Sequence, residues 1–347
     1  MGIRARAAAV LDRAKVFETV LWMRSRMPAL NRFPILTYHH LRAIEDDYPF
    51  ETGVIDASPA AFDEQMAFVA RWFTPVGIEE IRAALRGSAL PSNAIAVTFD
   101  DGYRSNIDVA LPILKRHGIR AIFFFATGYL SERRVFWWDR IAYLVKKSRR
   151  GDVSLRYPVI INLDLRTRPE RERAVVRLLR LVKDTKSLDL ERLMNDLAVA
   201  CGVAWDRDLE LALANETLLT WDQVRELRAA GMDVQSHTRH HRVLSTLSAE
   251  EARRELCDSR MDLERELGEP IYAVSYPVGA GIAGNEVLIK AVHDAGYEMG
   301  FASHGGMNVV QNSRAKPLQF ARIALDYGTP MSLFRGTLAL PRLVLSR

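Results

Sequence analysis

Residues 93–126 read NAIAVTFDDGYRSNIDVALPILKRHGIRAIFFFA, and this stretch decides the fold. It opens on a β-favouring run, 93–99, and closes on another, 119–126. Both are apolar almost throughout, as expected of strands buried on two faces. Between them the spacing predicts a helix over about 104–117, stopped by Gly118 acting as a left-handed cap. A strand, a helix and a strand in roughly 30 residues form a crossover unit, which makes the two strands parallel.

The same grammar extends in both directions. Upstream, PILTY (34–38) reads as a strand, and 59–72 as a helix with Phe62, Met66, Phe68 and Val69 on one side. Downstream, helix 221–230 stops at Gly231 before strand 232–236. Helix 248–267 stops at Gly268 before strand 271–276, and helix 284–295 stops at Gly296 before strand 297–302. Repeated helix–Gly–strand units imply an α/β fold with a parallel sheet. Their number fits a distorted, incomplete (β/α) barrel, and the glycine-rich phosphate fingerprint of open dinucleotide folds is missing. Residues 131–218, rich in Arg, Lys, Glu and Leu, break the rhythm and read as a helical insertion with solvated charged faces. The expected organisation is thus a basic segment 1–33, a domain 34–330 carrying that insertion, and a tail 331–347.

Composition narrows the function classes. Of 347 residues, 48% are hydrophobic and 26% charged, the mix of a packed chain. Two cysteines, Cys201 and Cys257, exclude a disulfide framework and an all-cysteine metal site. Residues 1–34 hold seven basic groups against two acidic ones, so the formal charge of +5 sits there and the remaining chain balances. A nucleic-acid partner is therefore not expected. The basic segment reads as one amphipathic helix with Val10, Ala14, Phe17 and Leu21 on a face. It either docks on the body or makes peripheral contact with a membrane. Asp12, Arg13, Lys15 and Glu18 interrupt any signal-peptide core, which favours a cytoplasmic site or the face of an inner membrane.

Four polar clusters come directly after predicted strands, at the end where barrel active sites are built. Asp100 and Asp101 come after strand 93–99. Adjacent carboxylates repel unless a cation lets one bind metal while the other works as a base. An Asp-Gly turn with a helix-capping Asp accounts for the pair equally well when taken alone. His237 and His241 come after strand 232–236, four residues apart, and two imidazoles plus a carboxylate make a three-ligand site with room for water and substrate. A surface histidine cluster is the plainer account of that spacing. His39 ends PILTYH, where a core histidine is the ordinary explanation. Ser275-Tyr276-Pro277-Val278-Gly279 ends strand 271–276, where a turn is expected.

The joint pattern is specific. AVTFDDGYRSN with LPILKRHGIRAIFFFATGYL, then SHTRHH and YPVG, resembles the polysaccharide deacetylase family (the NodB homology domain, carbohydrate esterase family 4), over roughly 34–130 and 218–326. The resemblance implies that Asp100 is the general base and that Asp101, His237 and His241 bind a divalent metal, zinc first, with manganese, cobalt or nickel as alternatives. It places Tyr103, through its backbone N–H, with Tyr276 and Pro277 against the substrate or oxyanion. The sequence departs from the family twice. Ser275 stands where an arginine usually orients the base, and the late histidine that serves as acid is missing. In a permuted branch similar to poly-N-acetylglucosamine deacetylases that histidine moves to the front, and Leu36-Thr37-Tyr38-His39 has the matching spacing. His39 is then the acid, ahead of His40 and His304, and Arg322 is a candidate for the missing charge. The activity implied is metal-dependent removal of N-acetyl groups from an N-acetylhexosamine-containing glycan. An amide or ester hydrolase with another substrate, or a non-catalytic glycan-binding relative, are the alternatives.

Overall fold

Strand Ala94–Phe99 lies parallel to strand Ile122–Phe125 on one side and to strand Ile35–Tyr38 on the other, as the crossover grammar requires. These belong to a nine-stranded sheet in a computed structural model that describes residues 3–27, 31–310 and 315–341. From Ile122–Phe125 the sheet continues through Asp233–Ser236, Ala273–Ser275 and Met299–Ala302 to Phe320–Ala321, every pair parallel. At the other end Ile35–Tyr38 pairs with Ile323–Ala324. The two ends of the sheet are therefore consecutive pieces of one segment, separated by Arg322 alone. The barrel is nearly closed, and Arg322 sits at its seam.

Strand side chains alternate between two faces, and here the alternation sorts the core into two bodies. Leu36, Tyr38, Ile95, Val97, Phe99, Phe123, Phe125 and Val234 belong to the larger cluster, under the helices. Ile35, Ala94, Ala96, Ile122, Phe124, Ala273, Met299, Phe301 and Phe320 fill the barrel interior with Ile78, Ile81 and Ala84 of helix Ile78–Leu85. Continuing the inward set two residues at a time towards the C-terminal ends gives Thr37 and His39, Thr98 and Asp100, His237, Ser275, and Arg322. The apolar floor thus changes to a polar rim by period alone.

Helices begin and stop where side-chain chemistry dictates. Ser58, Thr220 and Ser248 accept hydrogen bonds from the third backbone N–H of their helices. Gly118 and Gly268 take φ of 64° and 67°, the left-handed caps expected. The stretch 104–117 is not one regular helix: a wide π turn at Asn106–Ala110 precedes α-helix Leu111–Arg116. The segment 131–218 holds helices Trp137–Lys147, Arg168–Asp184, Leu190–Cys201 and Arg207–Thr217. It also holds an antiparallel ribbon, Asp152–Leu155 with Ile161–Asp164, which the reading as helices alone did not include.

The basic N-terminal segment is two helices, Ile3–Arg13 and Val16–Ser25, broken at Lys15 with φ 55°. The break resets the face: Ala8, Phe17 and Leu21 are buried, whereas Val10 is 66% exposed. Both helices pack on helix Met331–Ala339, so residues expected as a tail are a docked element, tied by Arg335 to Asp12 at 3.1 Å. Residues 342–347 of that expected tail lie outside the described residues. Among the described residues no helix is long and apolar enough to cross a membrane.

Phe124 is fully buried in the barrel interior, 5.0 Å ring to ring from Phe301. Phe124→Ala is expected to cost roughly 3–5 kcal/mol in urea unfolding, and Val10→Ala almost nothing. Equal effects of the two would contradict the assignment of inside and outside.

Candidate active site

Four strand ends deliver the rim. After Phe99 the chain turns sharply: Asp101 has φ 74° and Gly102 φ 111°. A left-handed conformation is costly for a non-glycine residue, and such residues concentrate at functional sites. The turn lets the two neighbouring carboxylates do different things. Asp100 continues the inward set of its strand, while Asp101 is swung towards the histidine loop, where Thr238 (φ 62°) and His241 (φ 52°) are similarly left-handed.

Asp101, His237 and His241 are all buried, and each offers a ligand atom within 4.8 Å of the other two. The Nε2 atoms of His237 and His241 lie 3.4 and 3.5 Å from Asp101 Oδ1. Ligands bound at about 2.1 Å in a tetrahedron stand about 3.4 Å apart, so the spacing fits a small divalent ion. Asp101 Oδ1 is buried and has no hydrogen-bond partner, an arrangement that a cation would satisfy. His237 Nδ1 faces the carbonyl of Ser275 at 2.8 Å, which fixes the tautomer that leaves Nε2 free. Trp138 packs its ring 4.5 Å from His241, and Trp137 donates to the His241 carbonyl at 3.3 Å.

Asp100 is held by Arg322, whose two terminal nitrogens donate to Oδ1 at 2.7 Å and Oδ2 at 2.8 Å. Ser275 donates to Oδ2 at 3.1 Å. Burial alone would push the Asp100 carboxyl up, but the guanidinium and its hydrogen bonds outweigh burial and hold it well below the usual carboxylate range. Arg322, the candidate for the missing charge, thus reaches Asp100 from the seam, and Ser275 contacts the same carboxylate.

His39 faces this pair from the neighbouring strand and is 26% exposed to the cavity. Its Nδ1 lies 3.2 Å from Asp56 Oδ2, and the same oxygen accepts the His39 backbone N–H. Burial opposes the imidazolium, yet Asp56 prevails and raises His39 to about 9. Asn106, in the π turn, donates to the His39 carbonyl at 3.1 Å. Asp56 carries no sequence signal: it comes from the short strand Ile55–Ala57 after an irregular loop.

Other expectations are corrected by position. His40 turns away from the cavity, with Nδ1 2.8 Å from Ser105 Oγ and its ring stacked on Tyr103 at 4.5 Å; burial lowers it to about 3. His304 is exposed and does not line the cavity. Tyr276 faces outward, fully buried, and donates to the Leu318 carbonyl at 3.1 Å. Neither it nor Pro277 reaches the cavity, whose wall there is Val278 and Gly279. The Tyr103 side chain also lies beneath the site, donating to Asp139 at 2.9 Å.

The cavity measures about 260 Å³, with His39, Asp100, Asp101, His237 and His241 at its base. Glu51 and Val54 wall one side; Leu179 and Lys183 reach in from helix Arg168–Asp184. A larger cavity of about 460 Å³ lies beyond Trp137; there Arg134 pairs with Glu191 and His240 with Glu132 and Glu255. The cluster of ligand atoms belongs to the smaller one.

Known proteins resemble this chain in sequence and in fold. YxkH of Bacillus subtilis is 21% identical over 304 residues, 86% of this chain and 73% of its own length. The poly-β-1,6-N-acetyl-D-glucosamine N-deacetylase of Escherichia coli K12 is 34% identical over 87 residues, 24% of this chain and 12% of that protein. The structure of the Streptococcus pyogenes deacetylase PplD in complex with acetate superposes with a TM-score of 0.54 at 20% identity, covering 86% of this chain and 92% of that one. The sequence profile described as polysaccharide deacetylase matches residues 87–156 and 194–300, just over half of the chain. The chain belongs to the polysaccharide deacetylase family, and its chemistry is that of a deacetylase hydrolase.

Proposed function

We propose that this protein hydrolyses the acetamide of N-acetylhexosamine residues in a glycan, with a divalent ion, zinc first, held by Asp101, His237 and His241. The observation that carries the reading is one cavity lined by a carboxylate paired with Arg322, an imidazole paired with Asp56, and the three-ligand cluster. The name of the Escherichia coli relative supports a β-linked N-acetylglucosamine polymer as the substrate class.

An ion bound there supplies Lewis acidity towards the acetamide carbonyl and makes a water easier to deprotonate. The chain does the rest. Asp100 takes a proton from the attacking water, and Arg322 keeps the carboxylate aimed. The backbone N–H of Tyr103 steadies the oxygen on which negative charge develops. An amine is a poor leaving group, so His39 gives its proton to the nitrogen as the C–N bond breaks, with Asp56 supporting the imidazolium. Acetate and an amino sugar result. Trp138, Leu179 and Val54 give the cavity apolar walls.

Asp100→Asn is expected to lower acetate release by about 10²–10⁴-fold while one equivalent of zinc or cobalt still binds; His237→Ala should lose both. Near-normal turnover in Asp100→Asn would remove the base assignment. The pH profile is set by the two shifts. His39 works protonated, so amide cleavage falls as pH rises through a limb at or below about 9, since a bound cation nearby lowers that value. Asp100 works ionised, so the acid limb lies below the ordinary carboxylate range. Arg322→Met should move it to higher pH. An unmoved acid limb would show that the guanidinium does not set the charge of the base.

Helix Val16–Ser25 and the turn after it leave Trp22, Met23 and Met27 about half exposed, with the Arg26 guanidinium 4.8 Å from the Trp22 ring. We assign peripheral contact with an anionic membrane to that surface. Co-sedimentation with anionic but not zwitterionic vesicles, lost in Trp22→Ser, is the expected result; equal recovery with both vesicles or with neither contradicts it.

A further inference from the structure

Helix Trp137–Lys147 of the insertion touches both halves of the site. Its first turn packs Trp138 on His241. The next residue, Asp139, is 1% exposed and points at neither metal cluster nor cavity. Its Oδ1 accepts the backbone N–H of Glu51 at 2.9 Å, and its Oδ2 accepts the Tyr103 hydroxyl at 2.9 Å. That hydroxyl in turn accepts the Trp138 indole N–H at 2.7 Å. Further along the same helix, Lys146 donates to the carbonyls of Tyr48 and Phe50. Two side chains about two turns apart therefore hold the backbone of 48–51 from one helix.

The clasp lies directly upstream of the acid's partner. Glu51 caps the short turn Thr52–Val54, whose Gly53 and Val54 wall the cavity. Strand Ile55–Ala57 then carries Asp56, the partner of His39. Asp56 thus lies between two holds, the ladder of its own strand with His40–Leu41 and the clasp on the stretch that leads into it. Tyr103 sits two residues after Asp101, so Asp139 joins the loop that sets the acid to the loop that carries the base and a metal ligand.

We propose that Asp139 is a positioning residue for the acid half of the reaction: it acts through the Glu51 backbone and Asp56 to keep His39 in line with the departing nitrogen. This rests on the deacetylase reading of the site. Loss of the clasp should misplace the acid by a fraction of an ångström to an ångström, which costs rate only where the leaving group needs a proton.

The experiment compares an N-acetylglucosamine oligomer with an activated acetate ester, in full-length protein loaded with zinc, for wild type, Asp139→Ala, Asp139→Asn and Lys146→Met. Asp139→Ala should lower kcat on the amide by about tenfold or more and change the ester rate by less than about twofold. Asp139→Asn keeps an acceptor for the Glu51 N–H and should recover most of the amide rate. Proportional loss on both substrates, as any general loosening would give, overturns the proposal. If Asp139→Ala does not fold, Lys146→Met decides: a lowered amide-to-ester ratio supports the clasp, and an unchanged ratio overturns it. Wild type without chelator-sensitive acetate release would instead tell against the deacetylase reading itself.

Discussion

Arg322 enters the gap between strands Phe320–Ala321 and Ile323–Ala324, and its guanidinium meets Asp100 at 2.7 and 2.8 Å inside the barrel. Both groups are almost wholly shielded from solvent. Neither charge is tolerable there alone, because removing one partner of a buried pair costs about 3–5 kcal/mol. Such pairs add little net stability over an apolar replacement. What this one supplies is a defined charge state: a carboxylate that stays ionised in a buried site. The same contact joins the seam of the barrel to the end of its central strand. The seam of the barrel and the proposed base thus share one interaction.

Around that pair, strand period does most of the placing. Ile35, Ala94, Ala96, Phe124 and Phe301 belong to the apolar floor, and the inward positions above it are Thr37 and Thr98, then His39 and Asp100, with His237 and Ser275 from the strands beyond. The strained backbone at Asp101 and His241 then departs from the period and gathers the second carboxylate and second imidazole. Rigid strands aim Asp100 and His39, and bent loops bring Asp101 and His241 to His237.

Much of this was legible in the residues. The helix–Gly–strand units gave the parallel sheet, and the motifs at its strand ends gave Asp100, Asp101, His237, His241 and His39, which the structure brings to one cavity. The failures have physical causes. The family resemblance of YPVG places Tyr276 and Pro277 against the substrate, but alternation sets Ser275 inward and Tyr276 outward. Asp56 and Asp139 act through backbone and second-partner contacts, which no local pattern encodes. The ribbon in the insertion hides because Asp152–Leu155 alternates over only four residues. The N-terminal periodicity was continued through Lys15, where the helix breaks and the apolar face starts again.

The segment 131–218 is more than a surface elaboration. Its helices pack Trp138 on His241, place Leu179 and Lys183 in the cavity wall, and clasp the loop that leads to Asp56. The most direct test of the account is anomalous diffraction at the zinc edge from crystals grown with zinc. One peak is predicted, about 2.0–2.2 Å from an Asp101 carboxylate oxygen and from Nε2 of both His237 and His241, with Asp100 still on Arg322. Zinc bound elsewhere, or those three side chains turned apart with the site empty, would contradict it.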